Sequence, residues 1–155
     1  MQRKILPLDL FEAKKHLELI AIKDLSVRDR FESEIRSRLS REFTKNKMAV
    51  HFDLIDEVIE KLRSQKYLRD EELVVKYALH LLDEGKGPYF IKAKLQSQGV
   101  SDSLIRLGLA SLTLDNVRSV LQKIIDKKKS LPKDKLIRFL MMRGFSYSDI
   151  KGSID

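Results

Sequence analysis

The chain has 155 residues, of which 43% are apolar and 35% charged, with six glycines, three prolines and no cysteine. This composition favours a helical protein over a β-sandwich or a disordered chain. The absence of cysteine excludes disulfides, thiolate metal sites and a cysteine nucleophile.

Amphipathic spacing predicts about nine helices in three sets of three, and no segment shows sustained strand alternation. The leading helices of the three sets are predicted at about 9–22, 70–84 and 114–129. Capping preferences predict where each helix begins. The predicted starts are, in chain order, Asp9, Ser26, Asp53, Asp70, Gly87 with Pro88, Ser101, Thr113 or Asp115, Pro132 and Ser146.

One pattern of six spaced residues, which we call the cassette, occurs twice in the chain. Leu95, Gly99, Val100, Ser101, Ile105 and Leu109 recur 45 residues later as Leu140, Gly144, Phe145, Ser146, Ile150 and Ile154. Each copy predicts a helix that ends at a left-handed Gly, an apolar residue that closes over the corner, and a Ser that caps the next helix.

A weaker third copy begins at Ile35 and Leu39. We therefore predict three tandem three-helix repeats, at 1–66, 67–112 and 113–155, in an elongated, slightly curved array. A single compact bundle is the alternative. Among the positions that differ between the strong copies, Gln98 and Val100 become Arg143 and Phe145. We expect such changed positions to contact the partner.

The formal net charge is +8, and it is unevenly distributed. Lys and Arg outnumber Asp and Glu by 15 to 12 in residues 1–66, equal them at six each in 67–112, and outnumber them by 10 to 5 in 113–155. Such a distribution predicts an anionic partner, either nucleic acid or an acidic protein surface, with a merely solubilising charge as the alternative. The predicted partner contacts are Lys86, Lys92, Lys94, Lys127, Lys128, Lys129, Lys133, Lys135, Arg138 and Arg143.

A further basic group lies in the first repeat and consists of Arg36, Arg38, Arg41, Lys45 and Lys47. Three of the predicted partner contacts also have a structural interpretation. Lys127, Lys128 and Lys129 end a predicted helix, and the helix dipole favours cations at that end. Tyr89 is predicted to be partly buried at a helix start, with stacking on a nucleobase as the alternative. The segment 139–142 is apolar over more than one helical stripe, which predicts packing on two neighbours, with a partner groove as the alternative.

The sequence predicts neither an enzyme nor a cofactor or metal site. His16, His51 and His80 are scattered, and the acidic run at 70–72 suits the first turn of a helix. The segment Gly85 to Pro88 lacks the spacing of a phosphate loop. Residues 1–24 carry charges every few positions, so we expect neither a signal peptide nor a membrane span, and a cytoplasmic location.

Several short motifs occur in a specific order. They are Tyr67, Leu68 and Asp70; Tyr77 and Ala78; Lys86, Gly87 and Pro88; Ile91 and Leu95; Gly99, Val100 and Ser101; and Arg143, Gly144 and Phe145. In this combination the chain resembles the RecX family of bacterial regulatory proteins. The resemblance covers about the last two thirds of the chain, whereas residues 1–50 are similar only in helix order and apolar spacing.

The resemblance implies three tandem three-helix repeats and a regulator that binds the RecA recombinase filament in its helical groove. Such a regulator would block filament growth or promote disassembly, and restrain recombination, strand exchange and self-cleavage of the SOS repressor. Single- and double-stranded DNA are further expected partners, and the absence of a heptad run favours a monomer. The alternatives are a sequence-nonspecific DNA-binding protein that acts through phosphate contacts without RecA, and a helical adaptor for another protein.

This sequence departs from the family pattern at two positions. Arg69 stands where the family usually has an Asp, and Lys66 where a Gly is common before the Tyr. The first departure removes a capping group, so we expect Asp70 to cap the following helix alone.

Overall fold

The computed structural model describes residues 7–45 and 52–155, and within these ranges the chain forms nine α-helices and no β-strand. The helices are α1 (Pro7–Val27), α2 (Glu32–Lys45), α3 (Phe52–Ser64), α4 (Asp70–Asp83), α5 (Pro88–Ser97), α6 (Asp102–Ala110), α7 (Leu114–Lys127), α8 (Lys133–Met142) and α9 (Tyr147–Ile154). The all-α class and the number of helices are confirmed.

The chain divides into two compact units, residues 1–73 and 74–155. In the first unit, α1, α2 and α3 all contact one another. Apolar side chains at helical spacing on each of them meet in one core, because a helix with a single apolar face must bury that face against its neighbours. The buried members are Leu17, Ala21, Ile35, Leu39, Phe43, Leu54, Ile55, Val58, Ile59, Leu62 and Leu68.

In the second unit, α5 contacts α6, and both α7 and α8 contact α9. Gly108 lets α6 lie directly against α4, since a Cβ at this position would stand 2.9 Å from Cγ2 of Val74. The buried apolar side chains include both copies of the cassette, as Leu95, Val100 and Ile105, and as Leu140, Phe145 and Ile150. The division into three repeats stays a prediction.

Four helix ends share one corner geometry. At each, a residue with positive φ follows the helix, and the next backbone N–H donates to the carbonyl five residues earlier at 2.9–3.2 Å. This is the Schellman pattern, which satisfies carbonyls left unpaired at a helix end. The residues with positive φ are Lys66, Gly85, Gly99 and Gly144. Three corners use the expected Gly, and Lys66 adopts the same left-handed conformation (φ 60°) with a side chain.

Capping residues explain where most helices of the second unit begin. Ser101, Thr113 and Ser146 each precede a helix and accept a hydrogen bond from the backbone N–H three residues later. Thr113, rather than Asp115, therefore begins α7. The prediction that Ser26 begins the second helix is wrong. Ser26 lies in the last turn of α1, where its hydroxyl donates to the carbonyl of Lys23 at 2.7 Å.

Asp70 is the first residue of α4, and its carboxylate does not act as the expected lone cap of that helix. Both carboxylate oxygens instead accept from the backbone N–H of Glu32 at 3.1 Å, at the start of α2. The carboxylate of Glu34 accepts from the N–H of Phe31 at 2.9 Å, which is half of a capping box. The start of α2 is thus capped from both its own helix and α4.

Candidate anion-binding groove

Two of the sequence motifs, Lys86-Gly87-Pro88 and Arg143-Gly144-Phe145, contact each other in the second unit. The backbone N–H of Gly87 donates to the carbonyl of Arg143 at 2.7 Å, and that of Tyr89 donates to Gly144 at 3.0 Å. A Cβ on Gly87 would overlap the backbone of Gly144, and one on Gly144 would overlap the backbone of Phe90. The start of α5 is therefore capped by the corner between α8 and α9, and only glycines allow this approach. We call this contact the joint.

Beside the joint, a groove of about 440 Å³ lies between α7, α8 and the end of α4. Four of its lining residues are cations: Lys123, Lys127, Lys128 and Arg143. Lys123 and Lys127 are four residues apart on α7, so they project from the same face of that helix. The acidic residues Asp83 and Glu84 also line the groove.

Phe139 brings two of these cations together. The ammonium of Lys128 lies 4.7 Å from the centroid of the Phe139 ring, and the guanidinium carbon of Arg143 lies 5.3 Å from it. Both distances suit cation–π attraction. No carboxylate in the described part of the chain lies within ion-pair distance of either cation. Because two like charges share one ring, an anion bound between them would relieve their repulsion.

Arg143 is fixed at both its backbone and its side chain. Its carbonyl accepts from Gly87 in the joint, and its guanidinium lies over Phe139. Its Nε is buried and has no hydrogen-bond partner among the described residues. A buried donor without a partner is unfavourable, and a movement of the Arg143 side chain toward a bound anion would give this Nε an acceptor oxygen. The groove therefore has the chemistry to hold a phosphate or a carboxylate.

The other predicted contact residues lie outside the groove. Lys129 and Lys133 hold carboxylates, those of Asp126 at 3.5 Å and Asp155 at 3.1 Å. Lys135 and Arg138 are exposed on α8, and Lys92 and Lys94 are exposed on α5. The ammonium of Lys86 lies 4.8 Å from the centroid of Phe90. The structure thus brings only Lys127, Lys128 and Arg143 of the predicted set into one groove.

In the basic group of the first unit, the two arginines Arg36 and Arg38 hold carboxylates, unlike the cations of the groove in the described part of the chain. Arg36 pairs with Glu32 and Asp56, and Arg38 pairs with Glu42 and Asp24. The Nε of Arg41 donates to the carbonyl of Ser37 at 3.3 Å, Lys45 is exposed, and Lys47 lies outside the described residues.

Arg63 of α3 joins the first unit's ion pairs by holding Glu32 and Glu60. The hydrogen bond to Glu32 raises the pKa of the Arg63 guanidinium above its ordinary value. Arg36, Arg38 and Arg63 are therefore committed to structure within this unit.

Three expectations about apolar side chains are wrong. Tyr89 is not partly buried, because 66% of it is exposed. Within the apolar segment 139–142, Met141 and Met142 are 50% and 85% exposed, so these two side chains are not part of the core. Phe145 was expected to meet a partner, but it is 2% exposed and closes the corner after Gly144. Phe139, in contrast, is half-buried in the groove.

Sequence reasoning missed Lys123, although its position four residues before Lys127 was a usable signal. Nothing in the sequence indicated that Asp83 and Glu84 would line the same groove. In the ranges that the structure describes, no group of three or more His, Asp or Glu side chains is placed to hold a metal ion. His51 lies outside those ranges. No described helix combines the length and apolar character needed to cross a membrane.

Two proteins called regulatory protein RecX are similar in sequence to this chain. The protein from Geobacillus kaustophilus (strain HTA426) is 32% identical over 120 residues, which are 77% of this chain and 42% of that protein. The protein from Streptococcus pneumoniae (strain ATCC 700669 / Spain 23F-1) is 32% identical over 145 residues, which are 88% of this chain and 53% of that protein. The chain thus spans about half the length of the curated relatives it matches. No family model matches it.

Two crystal structures share the fold. RecX from Lactobacillus salivarius superimposes with a TM-score of 0.77 over 92% of this chain and 95% of that chain, at 22% identity. A structure described as regulatory protein RecX gives a TM-score of 0.72 over 90% of this chain and 72% of that chain, at 20% identity. The fold of nine helices is therefore a RecX fold, and the similarity in sequence to the two regulatory proteins shows that the chain belongs to the RecX family.

Proposed function

We propose that this chain binds the filament that the RecA recombinase forms on DNA and inhibits the filament's extension. Recombination, ATP hydrolysis by RecA and its coprotease activity in the SOS response would then be restrained, without any covalent chemistry by the regulator itself. The observation that carries this proposal is the set of uncompensated cations in the second unit of a RecX family member. A filament on DNA offers the phosphates and carboxylates that these cations would bind.

The groove supports this role in physical terms. Its four cations outnumber its two carboxylates, and the buried Nε of Arg143 has no partner in the described structure. Contacts of this kind position a protein on an anionic surface and carry no base sequence information. Binding to any RecA filament, regardless of DNA sequence, is the activity that such contacts favour.

The first experiment titrates the protein into RecA-dependent ATP hydrolysis on single-stranded DNA. We expect inhibition at amounts well below those that coat the strand, because a regulator that blocks growth acts at the filament rather than along the whole DNA. Inhibition that begins only when this protein saturates the strand would overturn the proposal.

A charge reversal tests whether the exposed face of α8 contributes. Lys135→Glu with Arg138→Glu should weaken inhibition about tenfold, since two contacts to anions become repulsive. The matched control is Lys15→Glu with Lys23→Glu, two exposed lysines of α1 in the first unit. Helicity measured by circular dichroism should be the same in both variants. Equal inhibition by both would remove α8 from the contact surface.

A second candidate function is DNA binding without RecA, and the same uncompensated cations favour it. A phosphate binder should lose affinity for DNA steeply as salt rises, and should inhibit any enzyme that works on the same strand. The two functions are separated by testing an unrelated single-strand-dependent ATPase beside RecA. Inhibition of both at equal concentrations supports DNA binding alone.

A further inference from the structure

Four apolar side chains that reach solvent belong to residues that form the joint or lie within three residues of it in sequence. Tyr89, Met141, Met142 and Tyr147 are each at least 50% exposed, and Met142 is 85% exposed. We call these four residues the joint patch. Single exposed apolar residues are ordinary on protein surfaces, whereas a group of them marks a contact site.

The backbone of the joint brings the patch residues together from three helices. Met141 and Met142 end α8, and Gly144 follows Met142 by two residues. The carbonyl of Gly144 accepts from the N–H of Tyr89 at 3.0 Å, which places the start of α5 beside the end of α8. Tyr147, the first residue of α9, lies three residues after Gly144. Residues distant in sequence thus share one end of the second unit.

Cations lie beside the patch. Arg138 precedes Met141 and Met142 by three and four residues on α8, so all three share a face of that helix. Lys135 lies one turn earlier, and Lys86 lies over the ring of Phe90, next to Tyr89. None of these cations is within ion-pair distance of a carboxylate among the residues that the structure places. The patch is therefore apolar with a basic border.

We propose that the joint patch docks an acidic protein surface that carries apolar side chains. This inference rests on the proposed function, and within it the surface belongs to a recombinase subunit rather than to DNA. The patch and the groove then have separate tasks. The patch binds protein, while the groove and its four cations bind phosphate or carboxylate oxygens.

The two methionines of the patch favour protein over nucleic acid, whereas Tyr89 and Tyr147 suit either partner. Tyr and Met are enriched at the centres of protein interfaces, where the flexible thioether of Met adapts to irregular apolar surfaces. Single-stranded nucleic acid is bound by planar side chains that stack on bases, and a thioether has no plane to offer. Met142, the most exposed member, therefore points to a protein partner. The bordering cations complement a negatively charged surface.

The test measures the oxidation of Met141 and Met142 by dilute peroxide, followed by mass spectrometry. Exposed methionine is converted to its sulfoxide, and a bound partner slows this reaction. The full chain is oxidised alone, with single-stranded DNA, and with RecA assembled on the same DNA. Inhibition of RecA ATP hydrolysis is measured in parallel. We expect slower oxidation of Met142 with the RecA filament and an unchanged rate with DNA alone.

Each other outcome is decisive. Protection by bare DNA would assign the patch to nucleic acid, and an unchanged rate while ATP hydrolysis is inhibited would place the interface elsewhere; both overturn the inference. Protection by the filament without inhibition would leave the patch standing and overturn the proposed inhibitory function. An unchanged rate without inhibition would overturn both.

A variant pair gives an independent measure. Met141→Gln with Met142→Gln keeps the charge and the helix propensity of α8 while removing apolar surface. It should weaken binding to the RecA filament about tenfold or more, and leave binding to bare DNA unchanged. The matched control is Leu107→Gln with Leu114→Gln, two leucines of the same unit that are 42% and 51% exposed. Equal filament binding by both variants would overturn the inference.

Discussion

In the first unit, Arg36, Arg38 and Arg63 hold carboxylates of the same unit, whereas the cations of the groove in the second unit hold none among the residues that the structure describes. The difference is larger than the sequence suggests, because both ends of the chain have more Lys and Arg than Asp and Glu. Ion pairs commit these three arginines to the helices of the first unit, while Lys15, Lys23 and Lys45 of that unit stay exposed. The groove whose four cations hold no described carboxylate lies in the second unit.

Two helix starts, that of α2 in the first unit and that of α5 in the second, are also capped differently. In the first, the carboxylate of Asp70 caps the start of α2. In the second, backbone carbonyls of Arg143 and Gly144 cap the start of α5, and two glycines make the approach possible. The backbone contact leaves no room for a Cβ at Gly87 or Gly144, so the start of α5 should be the more sensitive of the two to a single added methyl group.

The largest effect is expected for Gly144→Ala. The added Cβ would overlap the backbone of Phe90, and φ at this position is 92°, so strain and a clash act together. We expect a loss of about 3 kcal/mol or more in the free energy of unfolding. Hydrogen exchange should become faster at amides of α5, α8 and α9 and stay unchanged in α1 to α3. Gly152→Ala is the control, because nothing lies within 4 Å of its added Cβ.

The division of charge between the units is tested by two matched double variants. Lys123→Gln with Lys127→Gln, in the groove, should weaken binding to the RecA filament about tenfold, or ~1.4 kcal/mol, and change stability by less than about 0.5 kcal/mol.

The matching variant in the first unit is Lys14→Gln with Lys61→Gln, which breaks ion pairs to Glu57 and Glu18. It should lower the free energy of unfolding by about 0.5 kcal/mol per pair and leave filament binding unchanged, because half-exposed pairs contribute little. Urea denaturation and filament co-sedimentation measure the two quantities. Similar loss of binding in both variants would contradict the separation.

Local signals were sufficient to predict much of the fold. Ser101 and Ser146 cap helices as expected, because an N-cap depends on a hydroxyl and an N–H three residues away. The Gly corners were also predictable, because their hydrogen bonds join residues only five positions apart in sequence. Ser26 failed as a helix start, since a hydroxyl also bonds a carbonyl within the last turn of a helix. The prediction for Asp70 failed because the N–H that donates to its carboxylate belongs to Glu32, which lies 38 residues away in sequence.

The site was less predictable than the fold. The sequence indicated Lys127, Lys128 and Arg143, but not that Phe139 would hold two of them over one ring. The apolar pattern of α8 likewise did not indicate that Met142 would be 85% exposed. Arrangement between helices, rather than residue type, decides which cations are free.

The third prediction concerns the cap of α2 and its dependence on pH. Asp70→Ala removes an acceptor and should lower the free energy of unfolding by about 1 kcal/mol. Asp70→Asn keeps an acceptor oxygen for the N–H of Glu32 and should be tolerated better. Urea denaturation measures both, and equal losses would show that the carboxylate charge, rather than the acceptor, stabilises the cap.

The sign of the pH dependence follows from burial. Burial raises the pKa of the Asp70 carboxyl above its ordinary value and outweighs the hydrogen bond from the N–H of Glu32, which lowers it. The charges of Glu32 and Glu34 add to the rise, and that of Arg63 opposes it. The folded state therefore binds the proton more tightly than the unfolded state does. The stabilisation is complete below the unfolded pKa and is lost as pH rises through the folded pKa. Relative to Asp70→Asn, the wild type should gain stability on acidification, and a relative loss would contradict this.

The smallest effect is expected at the Lys66 corner of the first unit. Lys66 has φ of 60° where the other three corners have Gly, and a Cβ makes that conformation unfavourable. Lys66→Gly should therefore raise the free energy of unfolding by about 0.5 kcal/mol, the strain relieved being partly offset by the greater entropy of unfolded Gly. Lys66→Ala is the control, because it removes the charge and keeps the Cβ. Urea denaturation should show a gain for Gly alone. A gain of equal size for Ala would assign the effect to charge instead of backbone conformation.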